Sequence, residues 1–571
     1  MRTDRQPLLL CIAVVVLSIA ATNPVLEMGL NDDWSYTYSA RDVATTGHLH
    51  YHGWSSAMLG AQAWFAALAI RALGFSFTIV RLTTAVFAAG CALLLYKLGR
   101  VTGLNSAFAS FGTLAVVISP LAVPLTASYM TDVPSLFFLL ACFYCGARAL
   151  QTANTRDCIL WLSAAAASGV LGGTVRQVIW GAPLSVIPMV AWFRRDDRHI
   201  AAGGVVLFAA SAATVAVCLR WLWRQPFFEW DPSPHSFREF LSVFSESVRL
   251  LVLMRTGLLL VLPVLALYFF GWERVQRWRI VIPGLLMVVV VWAIEQVKFH
   301  GHGFLYGNLV TRFGVLDEGT EAIGSKPVLL SPGLLAALSL VTLAAATACL
   351  VALLLHRSND APSAQSTISA PRIWLLGVPF TAGYLVILLY RARFGDLFDR
   401  YLLLLLPAVN LPLLWLYQQR IRDRVPLTGW LLVGLFGAYG VASTHDYIAA
   451  ARARLTAASL LTAAGVPRTR ITAGVEYDGW TQIEAQGYVN NRRIKVPAGT
   501  YSLPASRYPS GPRYEFWAFT PSVDPQYFVV YSRQPTLVDT VHPPVTYAAW
   551  LPPLTRAVYI QSIPGLRGKN R

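Results

Sequence analysis

The sequence predicts an all-α polytopic membrane protein with about thirteen transmembrane helices, followed by a small domain that contains β-strands. Of the 571 residues, 55% are hydrophobic and only 13% are charged, and the mean hydropathy is +0.52. Soluble domains average about 25% charged residues, so roughly half of the usual charge is missing. The hydrophobic residues are also concentrated in windows of about 20 residues, the length that crosses a hydrocarbon core as a helix.

These apolar windows recur along residues 1–443, which we expect to form the transmembrane domain. The predicted spans cover residues 7–27, 79–96, 106–124, 132–150, 158–173, 177–193, 200–222, 251–271, 279–297, 331–355, 373–390, 401–418 and 427–443. The N-terminus resembles a signal peptide but lacks a clean cleavage site, which favours an uncleaved first helix. The cysteines lie in or beside apolar stretches and read as core residues, not as a disulfide framework.

Basic residues cluster between alternate spans, and this pattern predicts the orientation. With the N-terminus in the cytoplasm, every inner loop is short and basic, as the positive-inside rule requires. There are six clusters: Lys97 and Arg100; Arg148 and Arg156; Arg194, Arg195 and Arg198; Arg274, Arg277 and Arg279; Arg357 and Arg372; and Arg420, Arg422 and Arg424. Clustered basic residues of this kind contribute to the net charge of +17, so the charge does not require a nucleic-acid partner. We expect a multi-pass protein of the inner (plasma) membrane, with residues 358–371 forming a flexible cytoplasmic loop.

The segments outside the membrane are predicted from their composition. Residues 28–78 form an outer loop in which residues 34–46 and 54–73 have the composition of interfacial helices that lie along the membrane surface. An odd number of spans places residues 444–571 on the outer side. This tail is rich in Tyr, Pro, Gly and β-forming residues, so we expect a small extracytoplasmic domain that contains β-strands.

Two adjacent carboxylates, Asp32 and Asp33, follow the first predicted span. Carboxylates at a membrane interface bind a cation, pair with a base or take a proton from a substrate. The alternative is a pair of solvated loop acids. Asp132 opens the fourth span on the same outer side, where it is either a helix N-cap or a second acid of the site.

Two arginines could hold an anionic group at the outer face. Arg176, in G-G-T-V-R-Q, and Arg400, in R-Y-L-L-L-L-L-P, are fixed cations at predicted span ends. Guanidinium groups bind phosphates in a bidentate manner. The alternative for each is an interfacial anchor whose charged head reaches water.

Three histidines alternate in G-H-L-H-Y-H-G. In an extended segment His48, His50 and His52 would project to one face, which could suit a transition metal. A run without partners from other elements is more often a polar loop, so no metal is expected to be required. His50 and His52 are also candidates for contact with a substrate.

Four short stretches together resemble lipid-linked-sugar glycosyltransferases of the GT-C superfamily. The similarity is to bacterial aminoarabinose transferases and protein O-mannosyltransferases, whose local motif D-E-x-x-Y is matched by D-D-W-S-Y with Asp in place of Glu. T-D-V-P at Asp132 resembles the family's T-D-x-P, and R-Y-L-L-L-L-L-P at Arg400 resembles its R-Y-L-L-P. Arg81-Leu82 resembles the family's entry to the second span. The resemblance covers most of residues 1–200 and the region around 390–410.

The resemblance implies roles for individual residues. Asp32 takes the position of the catalytic base, and Asp33 and Asp132 become its acidic neighbours in one outer cavity. Tyr36 completes the first motif and would contact substrate. Arg400, Arg176 and Tyr401 would bind the phosphate of the donor. The partners that the resemblance implies are a polyprenyl-phosphate-linked sugar, membrane lipids and a lipid, glycan or protein acceptor.

Other classes of function remain open at this level. A lipid or polysaccharide transporter or flippase would place charges near mid-bilayer on broken, repeated helices. Here the acids cluster at outer ends, and no internal repeat is evident. A structural subunit of an envelope assembly could use the tail for docking, but it leaves the acidic pair unexplained. An oligosaccharyltransferase would require a divalent metal and a further outer D-x-D-like motif, which the sequence lacks.

Overall fold

The computed structural model describes residues 5–230, 236–269, 278–299, 304–355, 370–504 and 514–565. Most of the predicted cytoplasmic loop 358–371 lies outside these residues. The helices are α1 (Arg5–Ala21), α2 (Asp33–Thr46), α3 (Gly60–Leu73), α4 (Phe77–Val101), α5 (Ser106–Val117), α6 (Ala122–Thr126), α7 (Asp132–Gln151), α8 (Thr155–Val175), α9 (Gly181–Phe193), α10 (Arg198–Leu222), α11 (Phe237–Leu241), α12 (Ser247–Leu260), α13 (Leu262–Leu265), α14 (Trp278–Phe299), α15 (Pro332–Leu355), α16 (Ala370–Leu375), α17 (Val378–Phe394), α18 (Leu406–Arg420), α19 (Leu427–Ala463) and α20 (Val475–Gln486).

A helix occupies each predicted apolar window, so the helical membrane fold is confirmed. Seven of the described helices are long and apolar enough to cross a membrane, and α12 with the segment after it makes an eighth if they form one span. That pair bends by 62° at Pro263, whose ring is incompatible with an unbroken helix. The predicted number of about thirteen spans is not established by these lengths.

The two helices predicted between the first spans are present. Helix α2 begins at Asp33, one residue before its predicted range of 34–46. Helix α3 begins only at Gly60, although its predicted range was 54–73. The hydroxyl of Ser55 bonds the backbone N–H and C=O of Ala57. Such local bonds compete with helix formation and delay the start of α3.

Helix α19 joins the membrane domain to the C-terminal domain. Its 37 residues measure roughly 55 Å at 1.5 Å per residue. A hydrocarbon core is only about 30 Å thick, so the helix extends well beyond it. The boundary at residues 443 and 444, drawn from composition, therefore lies inside one continuous helix.

The C-terminal domain contains a small five-stranded sheet, which confirms the predicted β-structure. Its strands are β1 (Ile471–Thr472), β2 (Tyr527–Val530), β3 (Val538–Asp539), β4 (Val545–Ala548) and β5 (Thr555–Ser562). Strand β5 is central because β2, β3 and β4 all pair with it in the antiparallel sense, whereas β1 pairs with β2 in parallel. The aromatic segment Glu515–Phe519 is a 3-10 helix and not a strand.

The C-terminal domain packs directly on the loop that follows α1. The Trp34 side chain is 1% exposed and lies against Gly479 of α20, where a Cβ atom would come within 2.6 Å of the indole ring. Buried Arg454 of α19 donates to Glu476 at 3.0 Å and to the Ala473 carbonyl at 2.8 Å. These contacts place the domain beside the acidic pair.

Candidate active site

A cavity of about 1000 Å³ lies where α2, α17 and the C-terminal domain meet. Its walls come from distant parts of the sequence. They include Asn31, Asp32, Tyr36, Trp54, Ser56, Thr131, Arg176, Gln177, Val178, Glu229, Asn308, Thr320, Tyr384, Ile387, Leu388, Arg391, Asp396, Phe398, Arg400, Tyr401, Asn490, Asn491, Arg492, Arg493, Tyr501, Glu515, Phe516 and Phe519. A volume of this size lies at the upper end of the range for small-molecule sites.

Asp32 and Arg400 are 368 residues apart in sequence and form an ion pair on this wall. The Arg400 Nη1 atom donates to Asp32 Oδ2 at 2.7 Å, and the Trp54 indole N–H donates to Asp32 Oδ1 at 2.9 Å. The Asp32 side chain is 18% exposed, so it remains open to the cavity. The guanidinium of Arg400 also lies over the ring of Phe398, 4.8 Å from its centroid.

Arg176 and Asp132 form a second ion pair beside the first. The guanidinium of Arg176 lies over the Tyr401 ring, 4.7 Å from its centroid. Asp132 is buried and does not line the cavity, although the preceding Thr131 does. Helix α7 begins at Asp132 without a side-chain cap bond, so its carboxylate is a partner of Arg176 and not the N-cap that sequence reasoning had left open.

Polar atoms of three cavity-lining residues have no hydrogen-bond partner among the described residues. They are the Arg400 Nε, the Asn31 Nδ2 and the Asn308 Oδ1 atoms. A buried donor or acceptor without a partner costs about 1–3 kcal/mol. A polar ligand in the cavity would remove that cost.

Tyr36 faces the same cavity from the first turn of α2. Burial raises the pKa of its hydroxyl well above the usual value, and the nearby Asp32 carboxylate raises the pKa further. The group therefore keeps its proton and can donate a hydrogen bond near neutral pH.

Asp33, the other member of the acidic pair, faces the protein interior. Its Oδ1 accepts from the Leu30 N–H at 2.6 Å, and its Oδ2 accepts from the Tyr129 N–H at 3.0 Å and from Arg81 Nε at 3.3 Å. Its side chain is 0% exposed. Burial raises the pKa of this carboxyl, while Arg81 and the backbone donors lower it. These contacts hold the loop after α1 in place, so Asp33 does not occupy the cavity position expected from the sequence.

The three histidines do not line the cavity. His52 is buried, with Nε2 2.9 Å from Asp42 Oδ2 and Nδ1 2.8 Å from the Gly487 carbonyl. His50 lies 3.6 Å from the same carboxylate and is half exposed. Across the described ranges, no group of three or more His, Cys, Asp or Glu side chains is arranged to hold a metal. The contacts of His52 link α2 to the end of α20 instead of reaching toward a substrate.

Several residues at the cavity had no assigned role in the sequence analysis. Asp399 is fully buried and accepts from the backbone N–H groups of residues 308–310, which fixes that loop next to Arg400. Arg493 of the C-terminal domain donates to Glu229 at 3.3 Å and to Asp396 at 3.4 Å. The dipeptide R-R at 492–493 was a visible signal, but nothing in the sequence placed it beside Asp32.

The charges at the cavity are arranged mainly as ion pairs. The lining arginines are Arg176, Arg391, Arg400, Arg492 and Arg493, and the lining carboxylates are Asp32, Glu229, Asp396 and Glu515. Asp132 pairs with Arg176 from behind the wall, so the cations and carboxylates of the site balance. The guanidinium groups on the wall are the groups that can bind an anionic ligand.

Residues 62–231 match the family model described as dolichyl-phosphate-mannose-protein mannosyltransferase. The matched segment runs from the start of α3 past the end of α10. The match confirms, over this segment, the resemblance to the GT-C superfamily that the sequence motifs indicated. Asp32 precedes the matched segment and Arg400 follows it, so neither residue is covered.

Solved structures of three glycosyltransferases are similar at low identity. The Saccharomyces cerevisiae protein O-mannosyltransferase Pmt1-Pmt2 complex is 14% identical, with 39% of this chain and 34% of that chain covered and a TM-score of 0.31. ArnT from Cupriavidus metallidurans is 15% identical, with coverage of 79% and 80% and a TM-score of 0.34. EmbB from Mycobacterium smegmatis is 14% identical, with coverage of 77% and 42% and a TM-score of 0.31.

The chain spans about a third of the length of the S. cerevisiae chain that it matches. Similarities at these TM-scores do not transfer a substrate or a partner to this protein. No curated protein sequence matched the chain.

Proposed function

We propose that this protein moves a sugar from a polyprenyl-phosphate carrier to an envelope acceptor at the outer face of the inner (plasma) membrane. The acceptor is a lipid, a glycan or a protein. The observation that carries the proposal is the ion pair between Asp32 and Arg400 in a cavity lined by five arginines. The pair places a proton acceptor, the Asp32 carboxylate, beside a guanidinium group that can bind phosphate. The N-terminus is then cytoplasmic and the C-terminal domain extracytoplasmic.

The donor phosphate is proposed to bind at Arg400, with Arg176 nearby. A sugar phosphodiester carries one negative charge, and the departing polyprenyl phosphate gains a second as the bond to the anomeric carbon breaks. Fixed guanidinium groups stabilise this developing charge. Arg400 can keep Asp32 on Nη1 while its Nε, which has no described partner, donates to the phosphate.

A polyprenyl tail also requires apolar surface at the cavity. Ile387 and Leu388 of α17 and Val178 line its wall. Ile387 is 41% exposed, which suits contact with lipid. The phosphate would bind at the arginines while the chain leaves along α17 into the membrane.

Asp32 is proposed to act as the base in the transfer step. The acceptor hydroxyl gives its proton to the Asp32 carboxylate, the acceptor oxygen bonds to the anomeric carbon, and the electron pair of the broken carbon–oxygen bond leaves with the polyprenyl phosphate. Positioning of the two substrates supplies much of the acceleration. No metal is required in this scheme, because the arginines provide the cationic charge.

Binding of undecaprenyl phosphate in nanodiscs tests the donor site. We expect Arg400→Lys to weaken binding by roughly 1–3 kcal/mol, because it keeps the charge but loses the planar fork that can serve Asp32 and the phosphate together. Arg400→Ala should weaken it further. Arg452→Lys is the matched control, since Arg452 bonds the carbonyls of Asn23 and Val25 outside the cavity. Equal affinities for all four proteins would remove Arg400 from the donor site.

A further inference from the structure

A second cavity, of about 400 Å³, lies between the C-terminal sheet, helix α19 and the segment 313–329. It is separate from the cavity that contains Asp32. Its lining includes two carboxylates, two cations and a group of aromatic side chains. The volume suits a ligand of one or two small rings.

The charged groups of this cavity are paired with one another. Glu321 pairs with Lys326, and Asp446 pairs with Arg556 at 3.2 Å. Asp446 also accepts from the Trp550 N–H at 2.6 Å. Two carboxylates and two cations leave no net charge on the lining, so this cavity has no excess charge to attract an ionic ligand.

Two buried polar atoms at this cavity have no hydrogen-bond partner among the described residues. They are Glu321 Oε1 and the Tyr447 hydroxyl. Glu321 is 1% exposed and Tyr447 is 6% exposed. The other carboxylate oxygen of Glu321 accepts from the Tyr531 hydroxyl at 3.1 Å. Buried polar groups are normally satisfied, so these atoms indicate a ligand that brings its own hydroxyl groups.

Aromatic side chains also line this cavity. Tyr447, Tyr531, Tyr547 and Tyr559 all line the cavity together with Phe313. Tyrosine presents an apolar ring and a polar tip, so it can contact a molecule that has both a C–H face and hydroxyl groups. We propose that this cavity binds a neutral saccharide unit, with Tyr447 and Glu321 bonding its hydroxyl groups.

The second cavity adjoins the Asp32 cavity. Thr320 lines the Asp32 cavity and the next residue, Glu321, lines the second. The Tyr514 hydroxyl bonds the backbone carbonyls of both residues, at 3.3 Å and 2.7 Å. The backbone of these two residues therefore separates a glycan in the second cavity from the Asp32 cavity. Use of the second cavity in acceptor binding rests on the proposed function, whereas saccharide binding itself does not.

Saccharide binding can be measured by saturation-transfer NMR and calorimetry on the full-length protein. Maltose, lactose and mannobiose are the neutral probes, and glucose 6-phosphate is the anionic comparator. Lipid nanodiscs free of maltoside detergent are needed, because the detergent headgroup is itself a disaccharide. We expect at least one neutral probe to bind the wild type more tightly than glucose 6-phosphate.

Two variants test the site and two serve as controls. Tyr447→Phe removes a hydroxyl with no described protein partner, so it should leave the fold intact and weaken binding about 2- to 10-fold. Ala557→Trp should abolish binding by filling the cavity. Tyr439→Phe, on the same helix, removes another hydroxyl without a described partner but does not line the cavity. It should bind like the wild type, and so should the transfer-deficient Asp32→Asn.

Two results would overturn the inference that the second cavity binds a neutral saccharide. One is that no neutral probe binds the wild type, and the other is that glucose 6-phosphate binds more tightly than every neutral probe. Unchanged affinity in Tyr447→Phe would remove the Tyr447 contact. Loss of saccharide binding in Asp32→Asn would place the sugar in the other cavity, whereas loss of transfer alone would leave the second cavity as proposed.

Discussion

Replacement of Asp33 by Asn should destabilise the protein, although the substitution changes little volume. The Asp33 carboxylate forms an ion pair with Arg81, whose side chain is 2% exposed. It also accepts two backbone N–H groups that fix the loop after α1. Asn removes the charge and leaves a buried guanidinium unpaired. The expected defect is therefore in folding stability and not in proton transfer.

The size of the effect follows from the burial of both partners. Breaking a buried ion pair by removing one member costs about 3–5 kcal/mol. Arg81 keeps its bonds to the carbonyls of Leu26 and Met28, and an Asn side chain can still accept one backbone N–H. These remaining contacts place the loss at the lower end, about 3 kcal/mol.

Thermal and denaturant unfolding in nanodiscs measures this loss. Asp32→Asn is the comparison variant. It makes the same chemical change and breaks the ion pair with Arg400, but at a carboxylate that is 18% exposed, so its cost should be smaller. We expect a much lower midpoint for Asp33→Asn than for Asp32→Asn. If Asp33→Asn unfolds like the wild type, the structural role assigned to this carboxylate is wrong.

Two further predictions concern the C-terminal domain. Burial raises the pKa of Asp478 from 3.8 to about 7. Between pH 3.8 and about 7 the native state therefore binds more protons than the unfolded chain. For this reason the contribution of Asp478 to the free energy of unfolding falls as the pH rises through that window. Unfolding midpoints from pH 4 to 7 should fall less steeply for Asp478→Asn than for the wild type, and identical slopes would contradict the assignment. Gly479→Ala places a Cβ within 2.6 Å of the Trp34 ring, so proteolysis should release the C-terminal domain faster than in a Gly434→Ala control, where a Cβ meets nothing within 4 Å. Equal rates would show that this contact does not hold the domain.

Hydropathy and charge were sufficient to predict the helical framework. Each apolar window became a helix because a segment of that length and composition satisfies its own backbone bonds. The broken helix at Pro263 and the late start of α3 depend on local side-chain chemistry, which a hydropathy window averages out. Helix α19 extends past residue 443 because the C-terminal domain buries residues such as Arg454.

The candidate site was predicted only in part. The motif resemblance selected Asp32 and Arg400, and the structure brings them to 2.7 Å. Apart from this resemblance, nothing in the sequence distinguished Asp32 from Asp33, because one faces the cavity and the other the interior only after the loop folds onto Arg81. Arg493 lines the cavity only because the C-terminal domain packs against the membrane domain, and no local sequence pattern predicts such a contact.

Sugar transfer by Asp32→Asn tests the central claim most directly. The assay measures transfer from a polyprenyl-phosphate sugar by purified protein in nanodiscs, alongside undecaprenyl phosphate binding and thermal unfolding of the same sample. We expect transfer to be lost while folding and carrier binding remain, because the variant loses the proton acceptor and keeps Arg400. Transfer near the wild-type rate by a well-folded Asp32→Asn protein would contradict the account.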